Sequence, residues 1–186
     1  MREEALTVMS QLRSRSREIE HEYAHGHERP LGSFVALIGA YAAAVGGGAL
    51  VVRHKGRPLP ERLDASDLAL LAVATHKIAR LVAKDPVTSP LRAPFTRFEG
   101  TSGEAELAES VRGTGMRKAV GELITCPFCM GQWVATGLAY GFVLAPRATR
   151  WTCSVFTALT MADFLQLAYA AAQQAQEGLG GASATE

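Results

Sequence analysis

Two cysteines, Cys126 and Cys129, are the residues of this sequence best suited to chemistry. Pro127 stands between them and an apolar run follows, an order that predicts a helix with Cys126 at its N-cap and Pro127 at its first position. The thiolate is the form of cysteine that ligates metals and attacks disulfides, and the positive end of a helix dipole favours it. The pair can therefore serve as packing at a helix start, as a metal or cluster ligand, or as a redox site.

A metal at this pair would need further ligands, because a tetrahedral zinc site takes four. A second copy of the chain can supply two more thiolates, or His76 can approach from another helix. We expect no resident cofactor, and zinc or iron is the ion that a completed site would take. His21, His25 and His27 lie in a polar N-terminal segment, where we expect solvated side chains rather than a metal site.

The second chemical candidate is Asp163, which stands near the middle of an apolar segment with Gln166 one helical turn further on. An ionisable residue at membrane depth normally faces the interior of a helix bundle and takes a partner. The candidate partners are His76, Lys77 and Arg80. Such a pair either holds helices together or forms part of an ion path, and the second case would make the chain a small transporter or channel subunit.

The composition limits the functions that the chain can have. It holds 186 residues, the length of one domain, with a formal net charge of +1 that gives no basic field for nucleic acid. Three cysteines are too few for a disulfide scaffold. The apolar residues, 48% of the chain, come in blocks, and this distribution indicates an integral membrane protein.

Four apolar segments alternate with polar ones. Residues 31–52 carry no charge over 22 positions, enough to cross a bilayer core of ~30 Å. Residues 66–84 hold a shorter apolar stretch and end in basic residues, so that they either span the membrane or lie at its interface. Residues 127–145 and 152–172 complete the set. We therefore predict an all-α fold, an integral membrane helical bundle with three or four transmembrane helices plus short interfacial helices.

The membrane domain is expected to cover residues 31–172, after a polar N-terminal segment 1–30 and before a disordered tail 173–186. Between its second and third spans we expect a short acidic helix at Glu104–Val111 and an amphipathic helix at Met116–Ile124. We do not expect this connecting stretch to form a separate domain.

Two of the segments carry small residues at the four-residue spacing that lets membrane helices approach closely. The small residues are Gly32, Ala36, Ala40, Ala44 and Gly48 in residues 31–52, and Gly137 and Gly141 in residues 127–145. We expect both faces to contact other helices.

The distribution of lysine and arginine predicts the orientation. With four spans, the side that holds residues 77–118 carries 13 basic residues and the opposite side carries 6; with three spans the numbers are 12 and 7. Both arrangements place the Cys126/Cys129 end in the cytoplasm, where thiols are kept reduced. Cys153 then lies at the opposite face, separated from the pair by the thickness of the bilayer.

Two stretches resemble a known family. Residues 75–97, THKIARLVAKDPVTSPLRAPFTR, and residues 121–134, GELITCPFCMGQWV, resemble the bacterial membrane family called domain of unknown function 1360, some of whose members are labelled sporulation-related. The resemblance covers residues 65–172, and the matching positions are Thr75, Arg80, Asp85, Arg92, Cys126, Pro127, Cys129 and Trp133. Lys77 stands where the family pattern has an arginine, which weakens a bidentate anion contact there. The family has no assigned activity, and the resemblance implies a bacterial inner-membrane location.

The sequence as a whole favours a multi-pass inner-membrane protein that is not an enzyme and acts as a structural or interaction component. Its partners would be membrane lipids, a second copy of the chain or another membrane protein, and not nucleic acid. A cytoplasmic basic hairpin would contact anionic lipid headgroups through Lys77, Arg80, Lys84, Arg92 and Arg97. The alternatives are a membrane thiol-redox or metal-binding protein that uses Cys126 and Cys129, and a small transporter or channel subunit with Asp163 in the membrane.

Overall fold

A computed structural model of the chain describes residues 2–183. Over that range the protein is mostly helical, with seven α-helices, a single 3₁₀ turn and a two-stranded hairpin. The chain divides into two compact units. The first contains the chain up to Leu50 together with Val82–Met130, and the second contains Val51–Leu81 together with the chain from Gly131 onward.

The elements follow one another with short connections. In chain order they are α1 (Arg2–Ala24), α2 (Leu31–His54), α3 (Ala65–Lys84), the 3₁₀ turn (Pro86–Thr88), α4 (Ser89–Arg92), β1 (Thr96–Gly103), β2 (Glu106–Val111), α5 (Gly115–Thr125), α6 (Pro127–Leu144) and α7 (Pro146–Ser183).

The hairpin in the first unit corrects the prediction of an acidic helix at Glu104–Val111. β1 and β2 pair antiparallel up to Gly103, which stands opposite Glu106, and Ala105 in the turn between them has a positive φ of 56°. An isolated helix of this length is not stable, whereas strand pairing satisfies the backbone groups of the segment. The predicted all-α class is therefore wrong for the hairpin, although helices make up most of the fold.

A glycine lets α5 pack closely against this hairpin. A Cβ atom at Gly121 would stand 2.5 Å from Val111 Cγ1 and 3.2 Å from the carbonyl oxygen of Phe95. Both distances are shorter than the optimal separation of nonbonded atoms, so a larger residue would force the two elements apart. α5 corresponds to the amphipathic helix predicted at Met116–Ile124.

The last helix differs from the prediction at both ends. α7 begins at Pro146 rather than at residue 152, because proline fits the first turn of a helix, where its missing N–H has no partner to lose. α7 also continues to Ser183, through residues predicted as a disordered tail, and the alanine and glutamine of that stretch favour helix. Residues 184–186 of the predicted tail lie outside the described part of the chain.

The core of the second unit is built from α3, α6 and α7. Ala74, Phe142 and Cys153 are buried there. The partly buried apolar residues that pack against them are Leu63, Leu70, Leu71, Ile78, Leu138 and Phe156. These residues come from segments distant in the sequence, so the core joins the three helices into one unit.

The two predicted stripes of small residues differ in how closely they contact other parts of the chain. In α6, a Cβ atom at Gly141 would stand 2.7 Å from Thr149 Oγ1 of α7, so this glycine permits close packing. Apart from the adjacent backbone of α6 itself, no heavy atom of the described residues lies within 4 Å of the Cβ position at Gly137. The α2 stripe is largely exposed at Gly32, Ala36, Ala40 and Ala44. At these four positions the close contact expected for α2 is not made within the described chain, whereas Gly48, the fifth position of the stripe, is half-buried.

Within the described residues, two helices are long and apolar enough to cross a membrane: Leu31–His54 and the part Pro146–Glu177 of α7. Each of these helices buries 6% of its most apolar stretch. Large apolar side chains on both helices are exposed instead, among them Val35, Ile38, Leu50, Leu159, Phe164 and Leu165.

Candidate functional site

The cysteine pair lies at the junction of α5 and α6. Cys126 follows the last residue of α5, and its Sγ accepts a hydrogen bond from the backbone N–H of Cys129 at 3.2 Å. This bond caps α6, whose first residue is Pro127, as the sequence predicts. The thiol of Cys129 donates to the same sulfur at 2.7 Å. Two donors therefore face the Sγ atom of Cys126.

The pair is accessible. Both thiols are free; Cys129 is exposed and Cys126 is half-buried. Phe128, between them, is 93% exposed. The third cysteine, Cys153, is a free thiol buried in the core of the second unit. A reagent or partner can therefore reach the pair, whereas Cys153 is shielded.

Metal binding at the pair would need ligands that the described part of the chain does not place beside it. In the part of the chain that the structure describes, no group of three or more His, Cys, Asp or Glu side chains is arranged to hold an ion. His21, His25 and His27 of the N-terminal segment are exposed, and so is His76 on α3. A second copy of the chain remains the source that the sequence suggests for two further thiolates.

A buried arginine network fixes the connection that follows α3. Arg92 is fully buried, and its Nε donates to the buried carboxylate of Glu109 on β2. Its Nη1 donates to the Val82 carbonyl at 2.8 Å and to the Thr88 hydroxyl at 2.7 Å. Its Nη2 donates to the Asp85 carbonyl at 3.0 Å. One guanidinium thus joins the end of α3, the 3₁₀ turn and the hairpin.

This network corrects the predicted basic hairpin. Arg92 is sealed from solvent and has its donors engaged, so it is not a headgroup contact. Lys77 is also engaged, by a carboxylate of the second unit. Arg97 on β1 is exposed, and Lys84 and Arg80 are half-buried. The five residues therefore do not act together as one basic surface.

Glu109 is a site residue that the sequence interpretation missed. Its Oε1 accepts a hydrogen bond from Thr96 Oγ1 at 3.2 Å, and the same hydroxyl contacts the Arg92 carbonyl at 3.0 Å. The predicted helix at Glu104–Val111 did not imply that the Glu109 carboxylate would be buried. The signal that could have revealed it is charge, since an arginine that is to be buried requires a nearby carboxylate.

Asp163 takes Lys77 as its partner. Lys77 Nζ donates to Asp163 Oδ2 at 2.5 Å, and this bond links α3 to α7. Lys77 is one of the three candidates that the sequence offers; His76 is exposed. Gln166, one turn beyond Asp163, is exposed as well. The structure thus gives the carboxylate a cation from a neighbouring helix.

A second ion pair links the same two helices and was not predicted. Arg150 donates from Nε and Nη2 to the two oxygens of Asp67, at 2.8 and 2.6 Å. Because Asp67 precedes Lys77 on α3 and Arg150 precedes Asp163 on α7, the two pairs show that α3 and α7 run parallel.

The remaining motif residues have structural positions. Asp85 Oδ1 accepts the Val87 N–H at 2.8 Å and so caps the 3₁₀ turn. Thr75 lies on α3, and its Oγ1 is buried without a hydrogen-bond partner among the described residues. Trp133 is half-buried on α6.

A cavity of about 490 Å³ opens beside Arg150 in the second unit. Its walls carry both charges, with Arg57, Arg62 and Arg150 beside Asp64 and Asp67. Arg57 donates to the Val143 carbonyl at 2.9 Å. The mixed charge gives the cavity no marked preference for anions or cations.

Known proteins share the central part of this chain. Residues 70–169, more than half of the chain, match the family described as "Protein of unknown function (DUF1360)", which confirms the predicted resemblance. The chain is also 29% identical over 107 residues to "Sporulation protein YjcA" of Bacillus subtilis (strain 168). That alignment covers 56% of this chain and 91% of the relative. No solved structure matches the chain.

Proposed function

The chain belongs to the DUF1360 family, and we propose that it is a multi-pass protein of the bacterial inner membrane that acts as a non-enzymatic structural or interaction component. The relative in Bacillus subtilis is named a sporulation protein, and we propose that the present chain also acts in sporulation. The observation that carries the proposal is the ion pair of Lys77 and Asp163, because it gives the ionisable group at membrane depth a structural partner.

The exposure of α2 and α7 supports the membrane location. A core helix of a soluble protein buries its apolar side chains, whereas these helices bury 6% of their most apolar stretches. A large exposed apolar surface of this kind favours lipid as its environment.

The parallel alignment of α3 and α7 supports four spans rather than three. The two ion pairs are separated by ten residues on α3, from Asp67 to Lys77, or about 15 Å of helix. This length is about half of a bilayer core. In a four-span chain the second and fourth spans, α3 and α7, cross the membrane in the same direction. The two ion pairs hold α3 and α7 in this parallel arrangement.

The basic residues support the orientation of these four spans. With α2, α3, α6 and α7 as spans, and with the basic residues at the helix ends counted on the nearer side, 12 lysine and arginine residues fall on the side of the hairpin and 6 on the other. Lys77 is left out of this count because it pairs with Asp163. The hairpin, α5 and the Cys126/Cys129 end are then cytoplasmic.

The Lys77–Asp163 pair favours a packing role over transport. An ion path needs a carboxylate that exchanges its ion during each cycle. Asp163 instead contacts a lysine at 2.5 Å on a neighbouring helix, an arrangement that holds the two helices together. A transporter or channel subunit is therefore the less supported alternative.

The first unit supplies the surface for a partner. The Arg92 network fixes the 3₁₀ turn, α4 and the hairpin relative to the end of α3, so their exposed side chains have fixed positions. Val87, Leu91 and Phe98 are 86%, 66% and 66% exposed there. Exposed apolar residues on a rigid element are typical of interaction surfaces. We propose that another membrane protein, or a second copy of the chain, binds this surface.

A labelling experiment tests the topology on which the proposal rests. In a chain with all three cysteines replaced by serine, Lys55→Cys, Glu104→Cys and Arg147→Cys are introduced one at a time. A membrane-impermeant maleimide is then applied to right-side-out and inverted vesicles. We expect Glu104→Cys to react in inverted vesicles only, and Lys55→Cys and Arg147→Cys in right-side-out vesicles only.

Each alternative topology gives a different result. Reaction of Lys55→Cys and Glu104→Cys from the same side would show that α3 does not span. Reaction of Glu104→Cys from outside would reverse the orientation. Recovery of all three variants in the soluble fraction would contradict the membrane location itself.

A further inference from the structure

The contacts of the cysteine pair assign different roles to its two sulfurs. Cys126 Sγ accepts both hydrogen bonds, one from the Cys129 backbone N–H and one from the Cys129 thiol. Donors that face a sulfur stabilise negative charge that develops on it. The start of α6 adds the positive end of a helix dipole. Cys126 Sγ is thus the sulfur that both donors face, whereas Cys129 Sγ donates to it.

The exposure of the pair fits an encounter with another molecule. Cys129 is exposed, Cys126 is half-buried and Phe128 extends into solvent between them. A buried pair would only pack the helix start. Here a sulfur-containing partner can approach, and the aromatic ring gives it an apolar contact.

We propose that Cys126 and Cys129 form a thiol–disulfide exchange site, with Cys126 as the attacking residue and Cys129 as the resolving one. The substrate class is a disulfide, which is also the oxidant. The Cys126 thiolate attacks one sulfur of the disulfide, the disulfide bond breaks, and the other sulfur leaves as a thiolate that takes up a proton. A mixed disulfide between Cys126 and the substrate results.

The second step closes the protein disulfide. The Cys129 thiol, which contacts Cys126 Sγ at 2.7 Å, loses its proton and attacks that sulfur. The remaining half of the substrate leaves as a thiolate and is protonated. Two electrons pass from the protein to the substrate, one disulfide becomes two thiols, and the protein gains one disulfide. A reducing compartment then returns the pair to the dithiol form.

The test uses the purified full chain in detergent, with Cys153→Ser throughout and oxidised glutathione as the probe. The reduced protein is mixed with the probe, quenched with acid, and weighed by mass spectrometry. We expect the chain with both cysteines to lose the mass of two hydrogens and to release two molecules of reduced glutathione. With Cys129→Ser we expect a stable glutathione adduct on Cys126, because no resolving thiol is present.

The reverse variant separates the two roles. With Cys126→Ser we expect the adduct on Cys129 to form roughly tenfold more slowly than the Cys126 adduct forms in Cys129→Ser, because Cys129 lacks the two donors. Serine is a good N-cap, so Cys126→Ser should keep α6, and Cys129→Ser changes only an exposed side chain. Circular dichroism verifies that both variants stay helical.

Three results would overturn the proposal. The first is equal adduct rates in the two single variants, which would show two ordinary thiols. The second is a parent chain that keeps bound glutathione without closing its disulfide. The third is stoichiometric zinc or iron on the reduced protein that disappears in the double variant, because ligated thiolates do not exchange. Since the chain is tested in detergent, all three outcomes are independent of the membrane topology proposed above.

Discussion

Arg92 and Glu109 form an ion pair that is closed to solvent, with 0% and 6% of their side chains exposed. The pair joins α4 to β2, and the remaining donors of the guanidinium reach backbone and hydroxyl oxygens at the end of α3 and in the 3₁₀ turn. A charge buried so completely is stable only with its partner, because neither group retains water. Removing one member alone would therefore leave the other charge buried without a counter-charge.

Removal of one member of this pair should destabilise the chain strongly. Arg92→Met leaves the carboxylate of Glu109 buried with the Thr96 hydroxyl as its described side-chain donor, and we expect a loss of about 3–5 kcal/mol in the free energy of unfolding. Arg97→Met is the matched control, because Arg97 is exposed on the adjacent strand, and it should change stability by less than about 0.5 kcal/mol. The measurement is urea unfolding in detergent micelles.

The double variant Arg92→Met/Glu109→Leu distinguishes lost pairing from lost packing. Removing both charges should cost less than Arg92→Met alone, because no charge is left buried without a partner. If the double variant is instead as unstable as the sum of the two single variants, the pair does not act through its charge.

Gly121 should not tolerate even one additional carbon atom. Alanine favours helix over glycine by about 1 kcal/mol, but its Cβ would meet Val111 Cγ1 at 2.5 Å and the Phe95 carbonyl at 3.2 Å. We expect Gly121→Ala to lower stability by about 1–3 kcal/mol. Adding Val111→Ala removes the nearer obstacle and should restore part of the loss. An unchanged stability in Gly121→Ala would show that α5 does not pack against the hairpin as described.

Local features of the fold could be predicted from the sequence. The end of α3 before Asp85 and Pro86, and the start of α6 at Cys126 and Pro127, depend on neighbouring residues alone. The helix α5 follows from its own amphipathic pattern.

The contacts that define the site could not be predicted in the same way. The partner of Arg92 is 17 residues away on a strand, and the partners Lys77 and Asp163 are 86 residues apart. No local pattern selects Lys77 over His76 or Arg80, because the choice depends on how α3 and α7 are rotated toward each other. The hairpin was missed because strand pairing with residues 96–103 outweighs the weak helical preference of residues 104–111.

Exchange of the charges between Lys77 and Asp163 tests whether the pair is structural. Asp163→Asn should lower the free energy of unfolding by roughly 1–2 kcal/mol, because Lys77 loses its counter-charge on the neighbouring helix. The loss should appear as a lower midpoint of thermal unfolding. The swapped variant Lys77→Asp/Asp163→Lys should recover most of that loss. In liposomes that carry a pH gradient, the parent chain and Asp163→Asn should let the gradient decay at the same rate. A faster decay with the parent chain alone would favour an ion path through Asp163.

Gly137 and Gly141 stand one turn apart on α6, and alanine should have opposite effects at the two positions. Both substitutions gain helix propensity, about 1 kcal/mol. At Gly137, where the described residues leave the Cβ position open within 4 Å, this gain should appear as increased stability. At Gly141 the new Cβ would stand 2.7 Å from Thr149 Oγ1, and Thr149 is buried and donates that hydroxyl to the Ala145 carbonyl at 3.0 Å. The threonine has little room to move, so the clash should exceed the gain and lower the unfolding midpoint. Equal stabilisation by both alanines would mean that α6 and α7 are not in close contact at this turn.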